Sequence, residues 1–211
     1  MRRRTKILLA IVLVVLVLFV LVYVNYRNRY PYGVSHCCDI QLYFALYEYA
    51  QAHDGVFPAG EATPEASLSL LCREKTEWAA DANLLRGKTV PESVVQEVLD
   101  RGELLTPETC GWHYVEGLNL DDHDRLALFW DKVGLDHNGG ELPAGGHIVY
   151  FVGGYREYIP ETEWEKFLEE QRNLHAQRAS RPDRDRARKK LPEAGSRSGL
   201  PVVLWIADTW G

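Results

Sequence analysis

From Ile7 to Val24 the chain reads ILLAIVLVVLVLFVLVYV, 18 apolar or aromatic residues without one charge. Coiled at about 1.5 Å per residue, this run makes a helix about 27 Å long, close to the hydrocarbon thickness of a bilayer. The pattern predicts a transmembrane segment over 7–24. A cleaved secretory signal has a shorter apolar core, about 7 to 15 residues, and a small-x-small site behind it. NYRNRYPYG follows here instead, so the segment reads as an uncleaved anchor.

After Tyr30-Pro31-Tyr32-Gly33 the spacing becomes that of an amphipathic helix. In SHCCDIQLYFALYEYAQAHDG, residues Leu42, Ala45, Leu46, Tyr49 and Ala52 fall on one stripe, Ser35 suits an N-cap, and Gly55 suits a stop. Pro31 and Gly33 then mark a break between anchor and domain. The tyrosines Tyr43, Tyr47 and Tyr49 read as packing and helix surface. Thr63-Pro64-Glu65 opens a short helix to about Cys72, with proline at its first position and an acid in its first turn. VPESVVQEVLDRG gives another, with Val94, Val95 and Val98 inward and Gly102 at its end.

From residue 112 the period shortens to two. WHYVEG, RLALFWD, HIVYFVGG and YREYI are short, aromatic and β-branched, and bounded by Gly or Asp, which predicts four strands. Gly153-Gly154 reads as a hairpin turn. PETEWEKFLEEQRNLHAQ predicts a helix opened by Pro160, with Trp164, Phe167 and Leu168 inward. Residues 178–198 are polar and charged and read as disordered. LPVVLWIADTW is either one more strand or an unpacked apolar tail. The fold class is α+β: a transmembrane helix, a second helix on a small antiparallel sheet, a C-terminal helix and a disordered tail. The expected organisation is a basic end at 1–6, an anchor at 7–24, a domain at 35–170, a basic tail at 171–198 and an apolar segment at 199–211.

Charge orients this arrangement. Arg2, Arg3, Arg4 and Lys6 precede the apolar run, so the positive-inside rule puts the N-terminus in the cytoplasm and the domain outside. Residues 25–171 hold 11 Lys/Arg against 26 Asp/Glu, which argues against nucleic-acid binding through the domain. Residues 172–190 hold eight basic and two acidic residues, read as a solvated, mobile segment. An extracytoplasmic domain permits disulfides. Of Cys37, Cys38, Cys72 and Cys110, the pair Cys72–Cys110 is preferred, because adjacent cysteines rarely suit each other's geometry. Without a C-x-x-C motif, neither a zinc knuckle nor a thioredoxin-type site is supported.

Three constellations carry chemistry. His137 and His147, with Asp136 or Asp131, are metal-ligand types, but their glycine-rich surroundings suit a connection between strands. The same glycines lead into a strand and not a helix, which disfavours a phosphate cradle. Asp121, Asp122 and Asp124 in LDDHD are the best hard-cation candidates, since closely spaced carboxylates suit calcium. Glu116, Asp131 and His147 are of general acid/base type, but no nucleophile has an evident base and no Gly-x-Ser-x-Gly or His-Glu-x-x-His occurs. No catalysis and no resident cofactor are expected.

DIQLYFALYEYAQAHDGVFPA, residues 39–59, resembles the helix-end signature of type II secretion major pseudopilins, with Ala45, Leu46, Tyr49, Asp54, Gly55, Phe57 and Pro58 at the matching positions. HNGG, then HIVYFVGGYREYI and the Trp164 helix, resembles the C-terminal order of a planctomycete group of pseudopilin-like proteins named for a histidine followed by Asp-Gly. Cys38 resembles the cysteine that precedes the helix signature in that group. The chain departs from these patterns in three places. It has no Gly-Phe-Thr-Leu-x-Glu cleavage site, it carries an apparent ELPAG insertion, and it has Gly153-Gly154-Tyr155 where the group has Asp-Gly-His. The resemblance implies a pilin-like domain and a structural or accessory subunit of a secretion or pilus-like system. It also implies lateral association of the anchor with similar helices, and it raises the weight of calcium. The departures favour an alternative, a stand-alone anchored binding module on the same fold. A metal-dependent hydrolase is a weaker third reading.

Overall fold

The computed structural model describes residues 3–34, 39–73 and 80–180. The chain divides into a unit from Met1 to Arg178 and a remainder from Ala179 to Gly211. The remainder lies, from residue 181 on, outside the described residues, together with the expected disordered tail and C-terminal strand. Helix α1 spans Arg3–Arg29. Its stretch Thr5–Arg29 is long and apolar enough to cross a membrane, and none of it is buried. A turn follows, in which the Gly33 N–H donates to the Tyr30 carbonyl, so the break expected at Pro31 and Gly33 is present. Ser35, Cys37 and Cys38 lie outside the described residues.

Helix α2, Asp39–Ala52, buries Leu42, Ala45, Leu46 and Tyr49 as the stripe predicts. Ala50 is buried and Ala52 exposed, the reverse of the expected end of the stripe. The Gly55 N–H already donates to the Ala50 carbonyl at 2.7 Å, and Asp54 and Gly55 turn the chain away through positive φ. Helix α3, Pro64–Leu68, starts where expected: the Thr63 hydroxyl accepts the Ala66 N–H at 3.1 Å. A 3-10 turn, Ser69–Arg73, carries it on. Helix α4, Ala82–Leu85, is capped by Asp81 and was not evident from the hydrophobic pattern. In helix α5, Glu92–Asp100, Val95 and Val98 face inward, but Val94 is exposed, a correction to the expected trio.

Strands β1 (Trp112–Tyr114), β2 (Ala127–Asp131), β3 (His147–Phe151) and β4 (Arg156–Ile159) form one antiparallel sheet in chain order. The β3–β4 hairpin closes at Gly153-Gly154, where the Gly154 N–H donates to Phe151 and the Phe151 N–H to Tyr155. One face carries Trp112, Tyr114, Leu128, Phe129, Tyr150 and Val152 in a cluster with residues of α2, α4 and α5. The other carries Ala127, Val149, Phe151 and Ile159 and packs against Phe167, Trp164 and Leu168. Those three belong to helix α6, Trp164–Ala179. This helix takes in residues 171–179, which corrects the expected start of the tail. Buried Gln171 and the Arg178–Asp122 bond hold that stretch to the domain.

The register of β2 against β3 shifts between Ala127 and Phe129, whereas β1 and β2 pair regularly. At this bulge Leu128 and Phe129 both face the helices, so the alternation resumes with Trp130 towards α6 and Asp131 towards the core. Gln171 satisfies backbone groups next to the irregularity, accepting the Ala127 N–H and donating to the Arg125 carbonyl. A second constraint lies where α4 meets β1. A Cβ on Gly111 would overlap the Arg86 carbonyl oxygen, and one on Gly87, at φ 59°, would strike Gly111. The two backbones therefore touch, and the Gly111 N–H donates to the Leu85 carbonyl. Gly111→Ala is expected to lower stability by at least about 1–3 kcal/mol, the cost of overpacking against rigid backbone. A denaturant melt that shows no loss would contradict this contact.

Candidate functional site

The Gly87–Gly111 contact and the β2 bulge together set one polar centre inside the core. Gly87 leads directly into Lys88, and the bulge turns Asp131 to the same side of the sheet. Lys88 Nζ contacts Asp131 Oδ2, and the two side chains are only 1% and 4% exposed. The ammonium lies 5.5 Å from the Trp112 ring centroid, and the indole N–H of Trp112 is held at 2.8 Å by the Leu84 carbonyl. Asp131 Oδ1 is buried with no hydrogen-bond partner among the described residues. Burial pushes the Asp131 carboxyl up to about 6, against the pull of the Lys88 charge, and the charge of Asp39 adds to the rise. A buried pair with a free acceptor is an unfavourable way to hold two charges. Asp39, also buried at the start of α2, lies 3.6 Å from Arg156 Nη1 and 3.4 Å from His137 Nδ1.

The opposite face of the same strands carries rings. His113 lies 5.5 Å from Trp130, Trp130 lies 5.8 Å from Trp164, and Trp164 lies 4.4 Å from His147. His147 Nδ1 is 2.9 Å from the Asp131 carbonyl, so the two sites meet through the β2 backbone. Both histidines titrate below the ordinary 6.5, first because burial disfavours imidazolium. Lys132 adds to the lowering at His113, and the Asp131 carbonyl opposes it at His147.

The sequence-derived candidates are placed differently from each other. Asp121, Asp122 and Asp124 do not converge. Asp122 gives one oxygen to Arg178 at 2.9 Å and the other to the Asn119 N–H at 2.8 Å. The Asp121 N–H donates to the Asn119 side chain, and Asp124 abuts the Gly153 turn. Among the described residues no three His, Cys, Asp or Glu side chains gather in a group that could hold a metal ion, the expected calcium candidate included. The carboxylate of Asp122 is thus shared between its own turn and α6. His137 and His147 are likewise apart in role, one against Asp39 and the other on Trp164. Asp136 knits the glycine-rich loop, its Oδ1 accepting the N–H groups of Asn138 and Gly140 at 2.8 Å. Those amides are not free to cradle an anion. Glu116 accepts the Gly60 N–H at 2.6 Å, so it forms no relay with Asp131 and His147.

Cys72 and Cys110 are free thiols, not the expected disulfide. Cys110 is buried with its sulfur 3.6 Å from the Leu85 carbonyl, while Cys72 sits half-buried in the 3-10 turn. Burial pushes the thiols up to about 12 and about 11 respectively, which keeps both protonated and unreactive. Reasoning from the sequence missed Lys88 altogether. Its only signal was the Gly-Lys step between two short apolar runs. No family model matches the chain, and no curated protein or solved structure is detectably similar to it.

Two measurements test this picture. Asp122→Ala is expected to cost about 1 kcal/mol, reduced by partial exposure, and to cost the same with calcium or with a chelator. A calcium-dependent difference in melting would restore the cation reading. For His147 the folded state holds the pKa below its unfolded value. Its contribution is therefore intact above pH 6.5 and lost as pH falls through 6.5 towards the lowered value. The Tm of the wild type should fall more steeply than that of His147→Gln between pH 7 and about 5. Parallel curves would remove His147 from the pH response.

Proposed function

We propose that the chain is a membrane-anchored, non-catalytic subunit whose pseudopilin-like domain lies outside the cytoplasmic membrane and contributes to a secretion or pilus-like assembly. The observation that carries this reading is α1. An apolar helix of this length with nothing buried must be covered by lipid or by similar helices. The basic residues ahead of it favour a cytoplasmic N-terminus. The order that follows, a helix on a four-stranded meander, supports the likeness to pseudopilins. The burial of the Lys88–Asp131 centre, 1% and 4% exposed, supports a scaffold role for these polar groups.

A second reading is favoured by the ring-lined face. His113 is exposed and Trp130, His147 and Trp164 are only partly buried, and aromatic side chains with polar edges are common anchors in binding interfaces. On that reading the domain is a stand-alone anchored binding module, which agrees with the missing cleavage motif.

Both readings expect the protein in the membrane fraction, with externally added protease removing the domain. They differ in the membrane itself. Leu13→Cys should give disulfide-linked dimers under mild oxidation if the anchors associate, and monomers alone if the module acts singly. Recovery of the full-length chain in the soluble fraction would overturn both.

A further inference from the structure

We infer that Lys88 and Asp131 are a site of self-modification: their side chains condense to an intramolecular amide that ties the α4–α5 connection to β2. The observations are geometric. Nζ and the carboxylate are in contact, almost wholly out of water, with the ring of Trp112 beside them. Oδ1 has no partner. An ammonium brings three donors to this place, yet its neighbours among the described residues are one carboxylate oxygen and one ring. An amide would leave one donor and one acceptor and no charge. It removes the features that make the unlinked pair unfavourable.

The step balances without any other reagent. A proton passes from Nζ to Oδ2, turning the ion pair into a neutral amine and a carboxylic acid. Burial promotes this transfer, since it already raises the Asp131 carboxyl. The Nζ lone pair then attacks Cγ and forms the C–N bond. The Cγ–Oδ2 bond breaks, and that oxygen leaves as water with its own proton and a second one from Nζ. Oδ1 remains as the amide carbonyl oxygen. Amide formation from free acids and amines is disfavoured in water. Groups fixed in contact reach effective concentrations of about 10⁵–10⁸ M, and the dry site has no bulk water to reverse the step. The Gly87–Gly111 contact and the β2 bulge provide that fixation. The bond would close a loop of 43 residues by sequence separation, joining the first half of the domain to its sheet.

Mass spectrometry of the full chain, purified in detergent and then denatured, decides the matter. The expected mass is lower than that of the sequence by one water. Trypsin should leave Lys88 uncut and yield peptide 87–101 joined to peptide 126–132. Lys88→Met should return the mass to that of its sequence, and Asp131→Asn should form the same bond with loss of ammonia. Wild type at full sequence mass, with separate 87–88 and 126–132 peptides, overturns the proposal. So does a water loss that persists in Lys88→Met. Because the wild type itself is decisive, a variant that fails to fold does not obscure the result.

Discussion

Placing a lysine and an aspartate together in an apolar layer constrains much of this domain. The two charges are tolerable there only while they stay in contact, so everything that positions them must be rigid. Two backbone features do so. The bare backbones of Gly87 and Gly111 touch, leaving no space for a side chain between α4 and β1. The irregularity in β2 resets the alternation, so that a strand ending in Trp130-Asp131 sends the indole outward and the carboxylate inward. Trp112, pinned through its N–H to Leu84, closes the site from β1.

The same sheet serves two layers. Its helix-facing side belongs to α2, α4 and α5, and its other side to α6. A four-stranded sheet covered on both faces can bury most of its large side chains, which a sheet this small with one wet face could not. The cover from α6 is incomplete, and His113, Trp130, His147 and Trp164 remain at its border. Helix α6 also fixes the loop before β2. Arg178 takes the carboxylate of Asp122, and Arg125 takes that of Glu170 at 2.8 Å. In the acidic loop that suggests a cation, Asp122 is thus paired with an arginine from a stretch that composition assigned to a disordered tail.

The chain has one apolar helix of membrane-spanning length and one domain whose buried charges, such as Lys88, Asp131 and Asp39, lie against charged partners. That division suits an anchored scaffold. A covalent tie at Lys88–Asp131 would add a cross-link that does not depend on thiol oxidation. Of the described cysteines neither offers such a link, as Cys72 and Cys110 are free.

Elements with strong local signals were legible in the residues alone. The long apolar helix, the capped start at Thr63, the helical start after Pro160, the stripe on α2, the four strands and the Gly153-Gly154 turn follow from periodicity, capping and turn chemistry, which act over a few neighbours. Short α4 was not legible, because a single turn of four residues has no period to show. Nor was the site. Lys88 and Asp131 are 43 residues apart, and a strict alternation through ALFWD would have put the aspartate on the other face. The sequence by itself determined the apolar helix of membrane-spanning length, the longer helices and the strands, because those preferences are local. Only the tertiary structure decided which charges meet, which cysteines stay apart and which way Asp131 points. Those outcomes depend on a one-residue shift in register and on two glycines brought together from distant parts of the chain.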